Sequence, residues 1–433
     1  MIEWVSLSDM IPLLSYMRNL KCLVFIVFLF SFLSLSAQDF GKIDSIINAE
    51  IQQKNIAGGV ALIIHKNNVV LDKAYGFADV SAARSMKTTD IFRIASQTKA
   101  IVSIAFLQLI EKNNISLDAP VEKFIPSFSK QKVAVVDGDG FKFVDLERSI
   151  TLRDLLTHQS GISSADEYPK FKALFEKYGL NKSLNNGFKS LEQEVAQIAA
   201  MPLVHQPGAR FSYGLSTNVL GRLIELMSKM SLDQYLNKYV FVPLKMTDTY
   251  FYLPNDKKQR LVKAYSKISK DSLAEISPAV FPINYPLQSN SQYFSAIGGL
   301  VSTTHDYAKF LQCLLNNGIS KDGKVLIGKT ILEQFWSNQL GEKTFVFGGA
   351  KSLNNFGLGV GLTTKAGQII NHASEGSFFW GGAFNTAYMV DRKRELITLS
   401  YFQRSPFVLP PLLSKLEKTA IDIIDPTPAG DKK

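Results

Sequence analysis

The order of apolar and polar positions divides the chain into two flanks and a middle. Ile43, Ile46, Ile47 and Ile51 recur at helical spacing within residues 40–53, and Gly58-Gly59 stops that helix. Val60 to His65 and Val69 to Tyr75 then predict two strands joined at Lys66-Asn67-Asn68. Beyond a polar loop, Ile101, Val102, Ile104, Ala105, Phe106, Leu107, Leu109 and Ile110 make the segment from Ala100 to Glu111 apolar almost all round, the pattern of a helix buried on every side. Asp137-Gly138-Asp139-Gly140 predicts a hairpin between Lys132 to Val136 and Phe141 to Val144. Thr151 and Asp154 make a capping box for a short helix that Gly161 ends. Val219, Leu220, Leu223, Ile224 and Met227 line one side of a helix capped by Ser216, and an amphipathic helix runs from Thr304 to Asn316. The last stretch predicts strands at 356–362, 367–372, 378–389 and 396–402, then a helix from about Pro411 to Ile424.

Strands at both ends with a helix outside each predict one antiparallel sheet that the N-terminal hairpin and the C-terminal strands share. The expected fold is α/β of the α+β sandwich kind, with the terminal helices on one face and a mostly helical region inserted. That assigns about 38–80 and 295–425 to the sheet part and about 81–294 to the helical part of one domain, 38–425, with a tail at 426–433. Neither internal repeats nor low-complexity segments interrupt it.

Composition narrows the class. Of 433 residues 46% are hydrophobic and 20% charged, as in an ordinary globular protein. The 48 basic and 38 acidic side chains give a net charge of +10, but the basic residues are scattered and form no run of the nucleic-acid-binding kind. Arg18 and Lys21 precede a short apolar stretch from Cys22 to Leu35, and Ser36-Ala37-Gln38 follows. This is the order of a secretory signal peptide, cleaved after Ala37, with Met17 as the expected start. Export to the periplasm or outside the cell is expected, with membrane attachment through the same stretch as the alternative. Cleavage would leave Cys313 alone, without a disulfide partner.

The candidate chemistry centres on Ser96 and Lys99. They stand three apart at the start of the buried helix, and so share a face. A serine hydroxyl is a weak nucleophile until a base takes its proton, and a lysine serves as that base once burial lowers its pKa. The spacing alone occurs by chance about twice in a chain this long. The second occurrence, Ser127/Lys130, lies in a Pro-broken stretch with no helix behind it. Taken locally, Ser96 reads equally well as an N-cap serine. The five histidines (His65, His158, His205, His305 and His372) show no ligand spacing, so no metal or other cofactor is expected. No G-x-S-x-G elbow and no phosphate-cradling glycine loop occurs. Tyr213 precedes a helix start, and Trp380-Gly381-Gly382 is a strand whose glycines permit close backbone approach.

Several motifs in order carry a resemblance: Ser96-Gln97-Thr98-Lys99, Leu155-Leu156-Thr157-His158-Gln159-Ser160-Gly161, Pro207-Gly208 through Tyr213, Gly298-Gly299-Leu300-Val301-Ser302-Thr303, and Trp380-Gly381-Gly382. Over roughly residues 40–425 the chain resembles the serine β-lactamase-related family, which holds class C β-lactamases, D-alanyl-D-alanine carboxypeptidases and lactamase-like esterases. The resemblance implies a β-lactamase/penicillin-binding-protein-like fold. It also implies that Ser96 is acylated, that Lys99 and Tyr213 move its proton, and that the backbone N–H groups of Ser96 and Ala383 form an oxyanion hole.

Two positions depart from the family pattern. Leu215 stands where Tyr-x-Asn has its asparagine, and Trp380-Gly381-Gly382 replaces Lys-Thr-Gly. Leu215, Trp380, Gly381 and Gly382 are the expected substrate contacts, and each of the two changes removes a polar partner for a β-lactam or peptide. The expected substrate is therefore a small ester or amide, and the esterase branch is the nearer one. A β-lactamase or D-amino-acid peptidase activity remains the alternative within the class, and a non-catalytic envelope binding protein the alternative outside it.

Overall fold

The computed structural model describes residues 39–181, 187–276, 285–287 and 291–426. The expected signal segment, 1–37, and the tail beyond Pro426 lie outside the described residues. The first helix, α1 (Gly41–Gln52), leads into the hairpin β1 (Gly58–His65) and β2 (Asn68–Asp79), followed by the short β3 (Arg84–Ser85). The helix α2 (Thr98–Lys112) opens the middle of the chain, α3 (Ser216–Ser228) lies within it, and α4 (Thr304–Leu315) closes it. The C-terminal part supplies β4 (Asn355–Phe356), β5 (Gly361–Leu362), β6 (Phe378–Gly382), β7 (Thr386–Asp391), β8 (Leu396–Phe402) and α5 (Pro410–Ile424). These form one eight-stranded sheet in the order β4-β5-β6-β7-β8-β1-β2-β3, antiparallel throughout. The predicted sharing of one sheet by the two ends is met at β1 and β8, where Gly59 pairs with Phe402 and His65 with Leu396.

Side chains alternate across this sheet with period two. Ala61 and Ile63 of β1, with Ala387 and Met389 of β7, face Ile43 and Ile47 of α1 and Leu412, Leu413 and Leu416 of α5. Val60, Leu62 and Ile64, with Tyr388, Val390, Leu399 and Tyr401, face the larger core that contains α2, α3 and α4. Both faces are covered, which is why β1 reads as a continuous apolar run. Twelve of the fifteen residues of α2 are buried, from Thr98 to Leu107 plus Leu109 and Ile110. A helix enclosed on all sides needs no polar face, and its sequence has none.

Four expectations are corrected. The span 356–362 is not one strand but the end of β4 and β5, which pair antiparallel with each other, Phe356 opposite Gly361. Residues 367–372 do not form a strand but a helical turn, Gln368–Asn371, because Thr364 Oγ1 accepts the Gly367 N–H at 3.0 Å and His372 stops the turn in the left-handed region at φ 63°. The span 378–389 is two strands rather than one, reversed at Ala383-Phe384-Asn385, where Asn385 takes φ 57°. Ser216 is the first residue of α3, not its cap, which is Leu215. The hairpin at Val133–Asp137 and Gly140–Val144 and the capping box of Thr151 and Asp154 are as expected.

The enclosure of α2 makes a stability prediction. Ile104→Ala, at a fully buried position, should cost about 2–5 kcal/mol through the lost contacts and the cavity left behind. Val69→Ala, at a position 58% exposed, should change stability by no more than about 0.5 kcal/mol. Urea midpoints of the two variants decide it, and equal losses would show that α2 is not the packed centre.

Candidate active site

The turn before α2 carries the candidate nucleophile. Ala95–Gln97 form one turn of 3₁₀ helix, and α2 begins at Thr98. Ala95 holds φ 43°, in the left-handed region that a residue with a Cβ avoids, at a cost of order 1–3 kcal/mol. That bend leaves Ser96 partly exposed although Ala95, Gln97, Thr98 and Lys99 are all buried. The turn is tied on both sides. Tyr307 of α4 donates its hydroxyl to the Gln97 carbonyl at 2.9 Å, and Tyr401 of β8 donates to Gln97 Oε1 at 2.7 Å. Thr98 Oγ1 accepts the Leu300 N–H at 3.1 Å, which fastens the Gly298-Gly299-Leu300 segment to the start of α2.

Lys99 is one turn on, with only 3% of its surface exposed. Its Nζ lies 3.2 Å from Ser96 Oγ and donates to the Ile297 carbonyl at 2.6 Å. The same nitrogen sits 4.7 Å from the centre of the Tyr213 ring. Burial disfavours the ammonium and lowers the lysine pKa to about 7. An appreciable fraction is then neutral near pH 7. The two halves of the sequence motif therefore meet, within hydrogen-bonding distance of each other.

Tyr213 reaches this point from the loop before α3. Gly214 behind it has no space for a side chain, since a Cβ there would stand 2.3 Å from the Ser163 carbonyl carbon. Ser163 Oγ donates to the Tyr213 carbonyl at 3.0 Å, so the loop is pinned at the tyrosine itself. The Tyr213 hydroxyl is buried without a partner at hydrogen-bonding distance among the described residues. Burial pushes its pKa above the ordinary value, and the neighbouring Ser96 hydroxyl and Trp380 indole oppose that shift.

β6 forms the opposite wall. A Cβ on Gly382 would stand 2.3 Å from the Ile94 carbonyl oxygen, so only glycine lets this strand pass so close to the nucleophile turn. The strand ends there, and Ala383 is exposed at the start of the next turn. Trp380 lies in an aromatic cluster, with ring centres 5.6 Å from Tyr213, 5.5 Å from Phe347 and 5.3 Å from Phe356. Gly381 follows it, half-buried. Leu215 is different. Its side chain is 1% exposed and packs in the core with Ile162, Phe175, Ile198 and Leu203 around a small enclosed space, so it is not the open-site contact expected. The second S-x-x-K pair behaves as a decoy, with Ser127 and Lys130 both exposed on a single 3₁₀ turn.

The site contains residues to which the sequence reading gave no role. His158, at φ 53° after the helix Leu152–Leu156, packs 4.8 Å from the Tyr213 ring. Burial, with the nearby Lys99 charge, holds its pKa well below the usual value, so it is a neutral wedge against the tyrosine. The hairpin of Val346–Phe347 and Ala350–Lys351 brings Phe347 to 5.1 Å from Tyr213. Glu167 accepts the Gly348 N–H at the tip of that hairpin, and burial raises its pKa. Gly348-Gly349 between two short apolar runs is a hairpin signal that the sequence carries plainly. The Ile297 carbonyl, a backbone atom, leaves no such signal.

Comparison with known proteins agrees with this geometry. The chain matches the Beta-lactamase family over residues 43–412. It is 28% identical to Esterase EstB of Burkholderia gladioli over 213 residues, covering 48% of this chain and 51% of the esterase. It is 28% identical to Monacolin J acid methylbutanoyltransferase of Aspergillus terreus over 341 residues, covering 73% of this chain and 77% of the transferase. The solved structure of EstCE1, a hydrolase with promiscuous acyltransferase activity, shares the fold with a TM-score of 0.76 at 21% identity, covering 89% of this chain and all of that one. With a partly exposed serine, a buried lysine 3.2 Å away and a tyrosine against both, the chain belongs to the Beta-lactamase family and is a serine hydrolase or acyltransferase of that fold.

Proposed function

We propose that the protein hydrolyses small neutral esters through an acyl-enzyme on Ser96. The contact between Lys99 Nζ and Ser96 Oγ, 3.2 Å long and closed off from water on the lysine side, carries this reading. Ser96 Oγ attacks the ester carbonyl carbon while its proton passes to the neutral Lys99 amine. The charge that develops on the carbonyl oxygen is met by the backbone N–H groups of Ser96 and Ala383, a pairing supported by the close passage of Gly382 beside Ile94. Collapse of the tetrahedral intermediate breaks the bond to the alcohol, which leaves with a proton from Lys99 relayed by the Tyr213 hydroxyl. Water, or a second alcohol in acyl transfer, then attacks the acyl-serine, and the same groups return the serine proton. The half-buried carboxylate of Glu167 beside Tyr213 disfavours an anionic substrate, and the Trp380, Phe347 and Phe356 rings suit an apolar acyl or alkoxy group. The chain is expected to be exported through its N-terminal segment, on the order of charged, apolar and small residues at Arg18, Cys22 to Leu35 and Ser36-Ala37. N-terminal sequencing of the envelope fraction tests that part, and a product that begins at Met17 would oppose cleavage.

Ser96→Ala should abolish ester hydrolysis and labelling by a fluorophosphonate. Mass spectrometry of the labelled wild-type protein should place the adduct on Ser96, and an adduct on Ser127 would overturn the assignment.

The lysine sets a pH dependence. Protonated Lys99 cannot accept the serine proton, and its pKa is lowered to about 7. Acylation should therefore rise with pH and reach half its plateau at about pH 7. Stopped-flow acylation by p-nitrophenyl butyrate measures this limb. A half-point near 10, the ordinary lysine range, would exclude a desolvated amine as the base.

Substrate selection gives the third test. A β-lactam presents a carboxylate and a side-chain amide, and an unpaired buried amide costs about 1–3 kcal/mol. On one preparation, kcat/KM for p-nitrophenyl butyrate should exceed that for a chromogenic cephalosporin by at least about tenfold. Equal values would favour the lactamase reading.

A further inference from the structure

We infer that Asn218 is a positioning residue for the catalytic base: its side-chain amide anchors Ile297, whose carbonyl holds Lys99 against Ser96. The inference rests on the reading of Ser96 and Lys99 given above and adds to it a group that touches neither substrate nor reacting atom.

Asn218 lies on α3, fully buried among Val219, Leu220, Leu223 and Ile224. A buried amide at such a place is costly unless both of its ends are satisfied. They are. Asn218 Oδ1 accepts the Ile297 N–H at 3.1 Å, and Asn218 Nδ2 donates to Glu194 Oε2 at 2.7 Å. Glu194, also fully buried, on the helix Leu191–Ala200, further accepts the Tyr293 hydroxyl at 2.7 Å. The carboxylate fixes the sense of the amide, because a flipped amide would point its NH₂ at the Ile297 N–H and its oxygen at the carboxylate. Only an acceptor on one side and a donor on the other fits this position.

Ile297 is where the anchor acts. Its carbonyl takes the Lys99 ammonium at 2.6 Å and precedes Gly298-Gly299, which have no side chains to brace the turn. From the far side Tyr285 donates to the Gly298 carbonyl at 3.2 Å, and Gly299 N–H bonds to the Ser295 carbonyl at 2.8 Å. The Asn218 bond is the one that fixes Ile297 itself. An unbroken series of buried contacts thus runs from Glu194 through Asn218 and Ile297 to Lys99 and Ser96. The titratable groups around Lys99 are Tyr213 from the loop before α3 and the neutral His158 behind it, with Glu194 and Tyr293 beyond Ile297.

Two variants separate positioning from mere packing. Asn218→Leu keeps the volume but leaves the Ile297 N–H unbonded. Its kcat for p-nitrophenyl butyrate should fall at least about tenfold, since small misplacements at a reacting pair cost up to about 10²-fold, while KM stays within about threefold. The half-point of its acylation limb should also move to lower pH, because the ammonium form loses a fixed acceptor. Asn218→Asp combined with Glu194→Gln keeps an acceptor for the Ile297 N–H and restores a donor facing it from position 194, so it should retain kcat within about threefold. Thermal melting followed by circular dichroism checks that each variant is folded, and Asn218→Ala replaces the leucine variant if that one is not. A folded leucine or alanine variant with wild-type kcat and an unmoved half-point overturns the inference. So does a folded Asn218→Asp/Glu194→Gln double variant as impaired as the leucine one. Wild-type protein that a fluorophosphonate fails to label at Ser96 would instead overturn the reading of the site itself.

Discussion

The structure depends on one unfavourable act, the removal of the Lys99 ammonium from water. A free lysine amine is protonated almost completely at neutral pH and is no base. Burial lowers the Lys99 pKa to about 7, so that an appreciable fraction is neutral, and burial requires that its surroundings be apolar or already bonded. The second turn of α2 meets this condition. Ala100, Ile101, Val102 and Ile104 follow it into the core, His158 beside it is neutral, and the Tyr213 ring covers its amine. One carbonyl, that of Ile297, remains to receive the proton-bearing form. The burial of α2 on every side keeps the amine in its first turn away from water.

Next to a dry lysine the nucleophile must stay open to substrate, and the backbone resolves the conflict. Ala95 takes a left-handed conformation that turns Ser96 outward while its neighbours on both sides stay buried. Such strain persists only where the surroundings over-determine it. Here Tyr307 and Tyr401, from a helix and a strand far apart in sequence, both bond to Gln97, and Gly382 passes under Ile94. The sheet thereby serves the site twice, since β8 clamps the serine turn and β6 supplies the wall that faces it.

How much of this the sequence announces depends on the range of the interaction. Local rules find α2, the hairpin at Asp137-Gly138, the cap at Thr151 and the pairing of Ser96 with Lys99, because periodicity and spacing of a few residues decide them. They mistake 367–372 for a strand, since its apolar content fits a strand and the left-handed stop at His372 leaves no mark in composition. The family resemblance, not a local rule, places Leu215 in the substrate site, where Tyr-x-Asn has its asparagine. The closeness of Gly214 to Ser163 sends that side chain into the core instead. Tyr213 itself is one of 15 tyrosines, and only the fold distinguishes it. The Ile297 carbonyl and the aromatic wall of Phe347 and Phe356 arise from contacts between distant segments, which no window of sequence contains.

The same geometry separates what the site does from what it selects. The groups proposed to transfer the proton stand on α2 and the loop before α3, and hydrogen bonds fasten α2 and α3 to the 295–300 segment. The wall that a substrate meets is built from elements outside that frame. Phe347 stands on a two-residue hairpin with glycines at its tip, and Glu167 bonds that tip from a loop on the other side of Tyr213. The hairpin meets Tyr213 and Trp380 through edge-on contacts of the Phe347 ring, apart from the hydrogen bonds that hold the lysine. On the proposed function, the chemistry is consequently held by the hydrogen-bonded frame and the choice of ester by the elements outside it. A fold organised in this way retains acyl transfer while its substrates diverge.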